Sequence, residues 1–161
     1  MKDWTVKLAQ LWALAGFTAL LGYAVYRLSG HFLVAWDFNF QWYHWLLLAV
    51  NCLFMAYSEG YKGFQQSYSL KFANRLQQLK QSSPLAKILA PLYCMNYFSA
   101  TAKNMKIAYI LTAAIIALII IFNQIPQPWR GILDAGVVVG LSWGIVATVV
   151  IGFAQLKAEL E

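Results

Sequence analysis

The sequence predicts an all-α, polytopic membrane protein: a bundle of four transmembrane helices with a cytoplasmic amphipathic segment between the second and third. Three observations carry that prediction. Of 161 residues, 61% are hydrophobic and only 11% charged, against roughly 45–50% and about 25% in average soluble chains. Four stretches, residues 8–26, 38–58, 107–125 and 135–156, contain no Asp, Glu, Lys or Arg, and each suits the roughly 20 residues that cross a hydrocarbon core of about 30 Å. The apolar runs also do not alternate. Ile115-Ile116-Ala117-Leu118-Ile119-Ile120-Ile121 lacks the period of two that a membrane β-barrel strand requires.

The first span, at about 8–28, follows Lys2 and Lys7 in the manner of a secretory signal. It runs on too long for one, and Tyr26-Arg27-Leu28-Ser29-Gly30 offers no small-residue cleavage site, so it is read as an uncleaved helix. The second span, 38–58, carries Asn51 near its middle. An amide at that depth is expected to hydrogen-bond to a neighbouring helix, with a polar substrate as its second use.

Residues 59–105 form the cytoplasmic interfacial segment. Gly60 and Gly63, in Glu59-Gly60-Tyr61-Lys62-Gly63-Phe64-Gln65, allow the chain to bend at headgroup level, where the second span is expected to end. From Ser69 the spacing of Phe72, Leu76 and Leu79 is helical, with Lys71 and Arg75 on one flank. That pattern describes an amphipathic helix with bases placed for anionic phospholipid, or a helix that simply closes the bundle from below. Ser83 and Pro84 then read as the N-cap and first residue of another helix. Residues 85–102 are apolar enough to cross but include Lys87, Pro91 and Asn96. Crossing would put Lys103 and Lys106 outside, so an interfacial or dipping segment is expected.

The third span falls at about 106–125 and the fourth at about 131–156. Along the fourth, Gly136, Gly140 and Gly144 make a ridge of glycines four apart, which lets a second helix approach closely in lipid. The preferred partner lies in the same chain, where the first span offers Ala15, Ala19 and Gly22; a second subunit is the alternative.

Charge sets the orientation. With the N-terminus inside, Lys2, Lys7, Lys62, Lys71, Arg75, Lys80, Lys87, Lys103, Lys106 and Lys157 are cytoplasmic, and only Arg27 and Arg130 lie outside. This positive-inside bias places both termini in the cytoplasm, and Trp36, Trp42, Trp45 and Trp129 supply an outer aromatic belt. The net charge of +6 is then a topology signal, and nucleic acid is not expected as a partner.

Few residues bear chemistry. Asp134 enters an apolar span close to its outer end, either as a functional acid or paired with Arg130 four residues earlier or with Arg27. Glu59, at the inner end of the second span, is expected to pair with Lys62; the alternative has it binding a cationic group beside Tyr57 and Tyr61. His31 and His44 read as interfacial, since two scattered histidines make neither a metal site nor a haem bridge. Cys52 and Cys94 form no C-x-x-C pair. No catalytic, cofactor-binding or metal-ligating pattern is present, so no cofactor is expected.

Glu59-Gly60-Tyr61-Lys62-Gly63-Phe64-Gln65, Leu89-Ala90-Pro91-Leu92-Tyr93-Cys94-Met95 and Pro126-Gln127-Pro128-Trp129-Arg130-Gly131, followed by Asp134-Ala135-Gly136, resemble a group of uncharacterised small bacterial multipass inner-membrane proteins. The resemblance implies a bacterial cytoplasmic membrane and no particular activity. The sequence thus favours a non-enzymatic accessory subunit of a membrane complex or a homo-oligomeric helix-packing scaffold. A small oligomeric transporter or lipid translocator is the alternative, with Glu59, Lys62, Arg75 and Lys87 around a headgroup; a lipid-modifying enzyme comes third.

Overall fold

In the computed structural model, residues 2–158 are described, and among them the secondary structure is helical throughout, with no strand. The order is α1 (Lys2–Trp36), α2 (Trp42–Met55), a π-helix (Ala56–Tyr68), α3 (Ser69–Gln78), a 3₁₀ turn (Leu79–Gln81), α4 (Pro84–Ile88), α5 (Ala90–Cys94), α6 (Ala102–Phe122) and α7 (Trp129–Ala158). Three stretches are long and apolar enough to cross a membrane: Trp4–Trp36, Ala102–Phe122 and Trp129–Ala158.

α7 is the spine. α1 runs antiparallel to it, with Ala35 against Gly131 at one end and Leu14 against Gly152 at the other. α2, the π-helix and α3 form one unbroken helix that runs parallel to α7. Asn51 meets Ile132, Phe64 meets Gly144, Ser69 meets Thr148 and Leu76 meets Gly152.

This continuity corrects the expected end of the second span beside Gly60 and Gly63. Glycine permits a bend but does not impose one. Here Gly60 is buried, and a Cβ on it would fall 2.8 Å from Trp143 Cγ, so its missing side chain serves helix contact. The π-helix also keeps the two helices in step. The chain from Glu59 to Ser69 accompanies the shorter stretch of α7 from Gly140 to Thr148, as the wider i→i+5 winding allows.

The amphipathic stretch 69–78 is therefore the last part of this long helix. Phe72, Ala73 and Leu76 are buried and join Ala13, Leu14 and Phe17 of α1 with Ala90, Tyr93 and Cys94 of α5 in the main apolar core. Phe17 stacks on Tyr68 at 5.4 Å and meets Phe72 at 4.9 Å.

Residues 85–102 do not make a spanning helix. Ser83 Oγ accepts from the Ala86 N–H at 3.3 Å and caps α4, with Pro84 in its first turn. α4 and α5 are each a turn or so long and lie against α1. Pro91 fills the space above Gly16, and Trp12 Nε1 donates to the Ile88 carbonyl at 3.1 Å. α6 stands apart: none of its residues is buried.

Candidate functional site

Polar side chains lie at successive levels along α7. At the N-terminal end of α7 is a cluster centred on Asp134, which is 1% exposed. His31 Nδ1 lies 2.7 Å from Asp134 Oδ2, Arg130 Nη2 lies 3.1 Å from His31 Nε2, and Arg130 Nε lies 3.7 Å from the same Asp134 oxygen. Arg130 Nη2 also donates to Asn123 Oδ1 at 2.7 Å. Gln127 closes the group by donating to the His31 carbonyl and accepting from the Gly131 N–H, both at 3.1 Å. The expected Asp134–Arg130 contact is present but long, and the short contact is to His31. His44 sits nearby among aromatics, 4.8 Å from the Trp129 ring, and its Nδ1 accepts from the Gln41 N–H at 3.0 Å, fixing the start of α2.

The next level is the glycine ridge, which faces the long second helix. A Cβ at Gly136 would collide with the Asn51 carboxamide, one at Gly140 would lie 3.0 Å from Glu59 Oε2, and one at Gly144 would lie 2.6 Å from the Phe64 ring. Nothing lies within 4 Å of a Cβ at Gly22, so Gly22 of the first span does not serve as the ridge's counterpart. Asn51 Nδ2 donates to the Ile132 carbonyl at 2.8 Å and lies 3.3 Å from that of Leu133, the interhelical use expected of a membrane amide.

Glu59 does not pair with Lys62. The Lys62 ammonium is turned over the Tyr57 ring, 5.2 Å from its centroid, and Glu59 has no hydrogen-bond or ion-pair partner among the described residues. One turn further along α7, Trp143 Nε1 donates to Gln65 Oε1 at 2.9 Å.

Towards the C-terminal end of α7 is a knot around Arg75, which is buried rather than set on a solvated flank. Its Nε and Nη2 donate to the Tyr93 carbonyl at 3.2 and 3.1 Å, Nη2 to Phe98 O at 3.0 Å, and Nη1 to Ser99 O at 3.0 Å and Gln78 Oε1 at 2.9 Å. Guanidinium has five N–H groups, and all five are occupied. Its carbon lies 3.7 Å from the Tyr93 ring centroid. Asn96 and Ser99 adopt positive φ, 65° and 53°, where residues 95–101 wrap this group. Burial pushes the Cys94 thiol beside it up to about 12, with Arg75 pulling the other way.

The four residues read as a headgroup ring are thus not brought together. Glu59 faces Gly140 while Leu76, next to Arg75, packs at Gly152, about 18 Å further along α7 at 1.5 Å per residue. Arg75 has no donor left for a phosphate. Lys62 is exposed, and Lys87 is half-buried at the end of α4.

Sequence reasoning missed His31 as the partner of Asp134 and Arg75 as a clasp for carbonyls. The first had little signal, because His31 lies past the end of the first span at about residue 28 and joins it only as α1 continues to Trp36. The second had none, because backbone carbonyls leave no trace in a residue pattern. The chain matches no protein-family profile, no curated protein and no solved structure.

Proposed function

We propose that this chain is a four-span, non-enzymatic accessory subunit of the bacterial cytoplasmic membrane, and that α6 is the helix it offers to a partner membrane protein. The observation that carries this reading is that α6, apolar on every side, buries none of its residues against its own chain. Its hydrogen bonds to the rest of the protein, among the described residues, run through Tyr97 on Thr112 and Tyr109, and through Asn123 just past its end. Ala113 and Ala117, four apart, together with Ala114, give α6 the small-residue seam along which membrane helices meet closely.

In this reading α1, the helix 42–78, α6 and α7 are the four crossings, and residues 79–101 close the cytoplasmic side. The ten-to-two distribution of bases supports cytoplasmic termini, with inner lysines near anionic phospholipid. The bacterial location rests on the resemblance of the three quoted segments.

A photoreactive side chain placed in turn at Ala113, Ala117, Ile115 and Ile120 in cells tests the proposal. Discrete adducts to another protein from Ala113 and Ala117, absent from the other two positions, are expected. Adducts to lipid alone at all four positions overturn it. Adducts to a second copy of this chain replace the accessory subunit with a homo-oligomeric scaffold. A reporter fused after Lys157 is expected to read cytoplasmic, and a periplasmic signal defeats the proposed topology.

A further inference from the structure

We propose that Glu59 is a proton-binding site inside the membrane, built by the π-helix against the glycine face of α7. The proposal concerns the bundle interior and is independent of what covers α6.

Depth is the first consideration. Glu59 faces Gly140, which lies about 16 Å along α7 from Trp129 at 1.5 Å per residue. Trp129 belongs to the outer aromatic cluster, stacked on Tyr43 at 6.2 Å and close to His44. Counted from that belt, the carboxyl sits near the middle of a hydrocarbon core about 30 Å thick.

Second is the lack of a counter-charge. α7 packs along the π-helix and has no ionisable residue between Asp134 and Lys157. α1 reaches the inner end of the π-helix through Phe17 on Tyr68, and the ionisable residues in its middle, Tyr23, Tyr26 and Arg27, are exposed. On the π-helix itself Tyr57 and Tyr61 stack on each other at 6.1 Å, and Lys62 is engaged with Tyr57. An ionised carboxylate left unpaired in hydrocarbon is costly, whereas the neutral acid is tolerated. With one carboxyl and no cluster of metal-ligating side chains among the described residues, the cation that fits is a proton.

Third is the construction. Gly140 leaves the space that the carboxyl occupies, since a Cβ there would lie 3.0 Å from Oε2. The carboxyl sits on the only π-helical stretch among the described residues, and π-helical turns concentrate at functional sites because they cost regular hydrogen bonding. Glu59 is half-buried rather than sealed, so the carboxyl is open to an apolar reagent.

The test uses dicyclohexylcarbodiimide, an apolar reagent selective for protonated carboxyls, on the full chain in liposomes. The acid proton moves to a carbodiimide nitrogen as the carboxylate oxygen attacks the central carbon. The O-acylisourea then rearranges to a stable N-acylurea with nothing leaving, so the labelled peptide gains the whole mass of the reagent. Peptide mapping of the wild type is expected to place the label on Glu59 and not on Asp134, and labelling should slow as pH rises. Glu59→Gln should abolish the label; the wild-type map stands on its own if that variant does not fold. An unlabelled Glu59 in folded wild type overturns the proposal. So does equal modification by a water-soluble carbodiimide with an added amine, which would place the carboxylate in water.

Discussion

His31 Nδ1 lies 2.7 Å from Asp134 Oδ2, and the same imidazole presents Nε2 to Arg130 Nη2 at 3.1 Å. A guanidinium only donates, so Nε2 accepts and the ring proton resides on Nδ1, where it is given to the carboxylate. The imidazole thus bridges two side chains whose direct approach is 3.7 Å. This ties the C-terminal end of α1 to the N-terminal end of α7.

Removing the acceptor therefore exposes two losses at once. Asp134→Ala leaves the His31 donor unpaired and takes the counter-charge from Arg130, whose Nε is already buried without a hydrogen bond. A loss of about 2–4 kcal/mol is expected, somewhat under the roughly 3–5 kcal/mol of a fully buried pair because His31 and Arg130 are partly exposed. Asp134→Asn keeps an acceptor for Nδ1 and should cost less than half as much. Unfolding in mixed detergent micelles measures both, and an alanine variant as stable as wild type would show the cluster to be ornamental to the fold.

Arg75 gives a prediction of a different kind, because its partners are carbonyls on another segment. Lysine has three donors and no planar fork, so Arg75→Lys must give up at least two of the five hydrogen bonds to Tyr93, Phe98, Ser99 and Gln78. A loss of about 2–3 kcal/mol is expected from hydrogen bonds to a charged donor. Residues 95–101 should also become the first site of proteolytic nicking. Unchanged resistance of that loop would mean that its positive-φ turn holds without the clasp.

These two clusters show what the sequence did and did not reveal. Absence of charge located α6 and α7 to within about a turn and the middle of α1, whose end at Trp36 lies well past the expected one, because burying charge in lipid is costly whatever the fold. The end of the second helix was misread for a physical reason. Glu59, Lys62 and two glycines imitate a headgroup-level break, yet π-winding carries the helix through them, and a pattern read at 3.6 residues per turn is blind to that winding. The glycine ridge was legible as a contact face, but its counterpart, Asn51, Glu59 and Phe64, was not. Those residues share a face only once the π-helix has wound them onto it.

That contact face makes a prediction that separates packing from backbone preference. Gly144→Ala would ordinarily favour a helix by about 1 kcal/mol. Here the new methyl meets the Phe64 ring at 2.6 Å, and overpacking of this kind costs about 1–3 kcal/mol. A net loss is expected, and Phe64→Leu in the same chain should recover part of it. If the double variant is no better than the sum of the two singles, the clash lies elsewhere.

Cys94 lies in the non-spanning α5, fully buried beside Arg75, and gives the pH prediction. Burial raises its thiol from 9.0 to about 12, with Arg75 opposing. Between those values the unfolded chain has lost the thiol proton while the folded chain keeps it. The unfolded state binds fewer protons there, so stability falls as pH rises. Its contribution is complete below about 9 and is lost on the way to about 12. Wild type should therefore lose more stability than Cys94→Ala when unfolding at pH about 8 is compared with pH about 10.5. The same burial keeps the thiol from forming the reactive thiolate, so maleimide should label Cys94 only as the protein unfolds. Parallel pH profiles for the two proteins, together with ready labelling of the folded chain, would mean that α5 opens to water and that the core beside Arg75 is not closed.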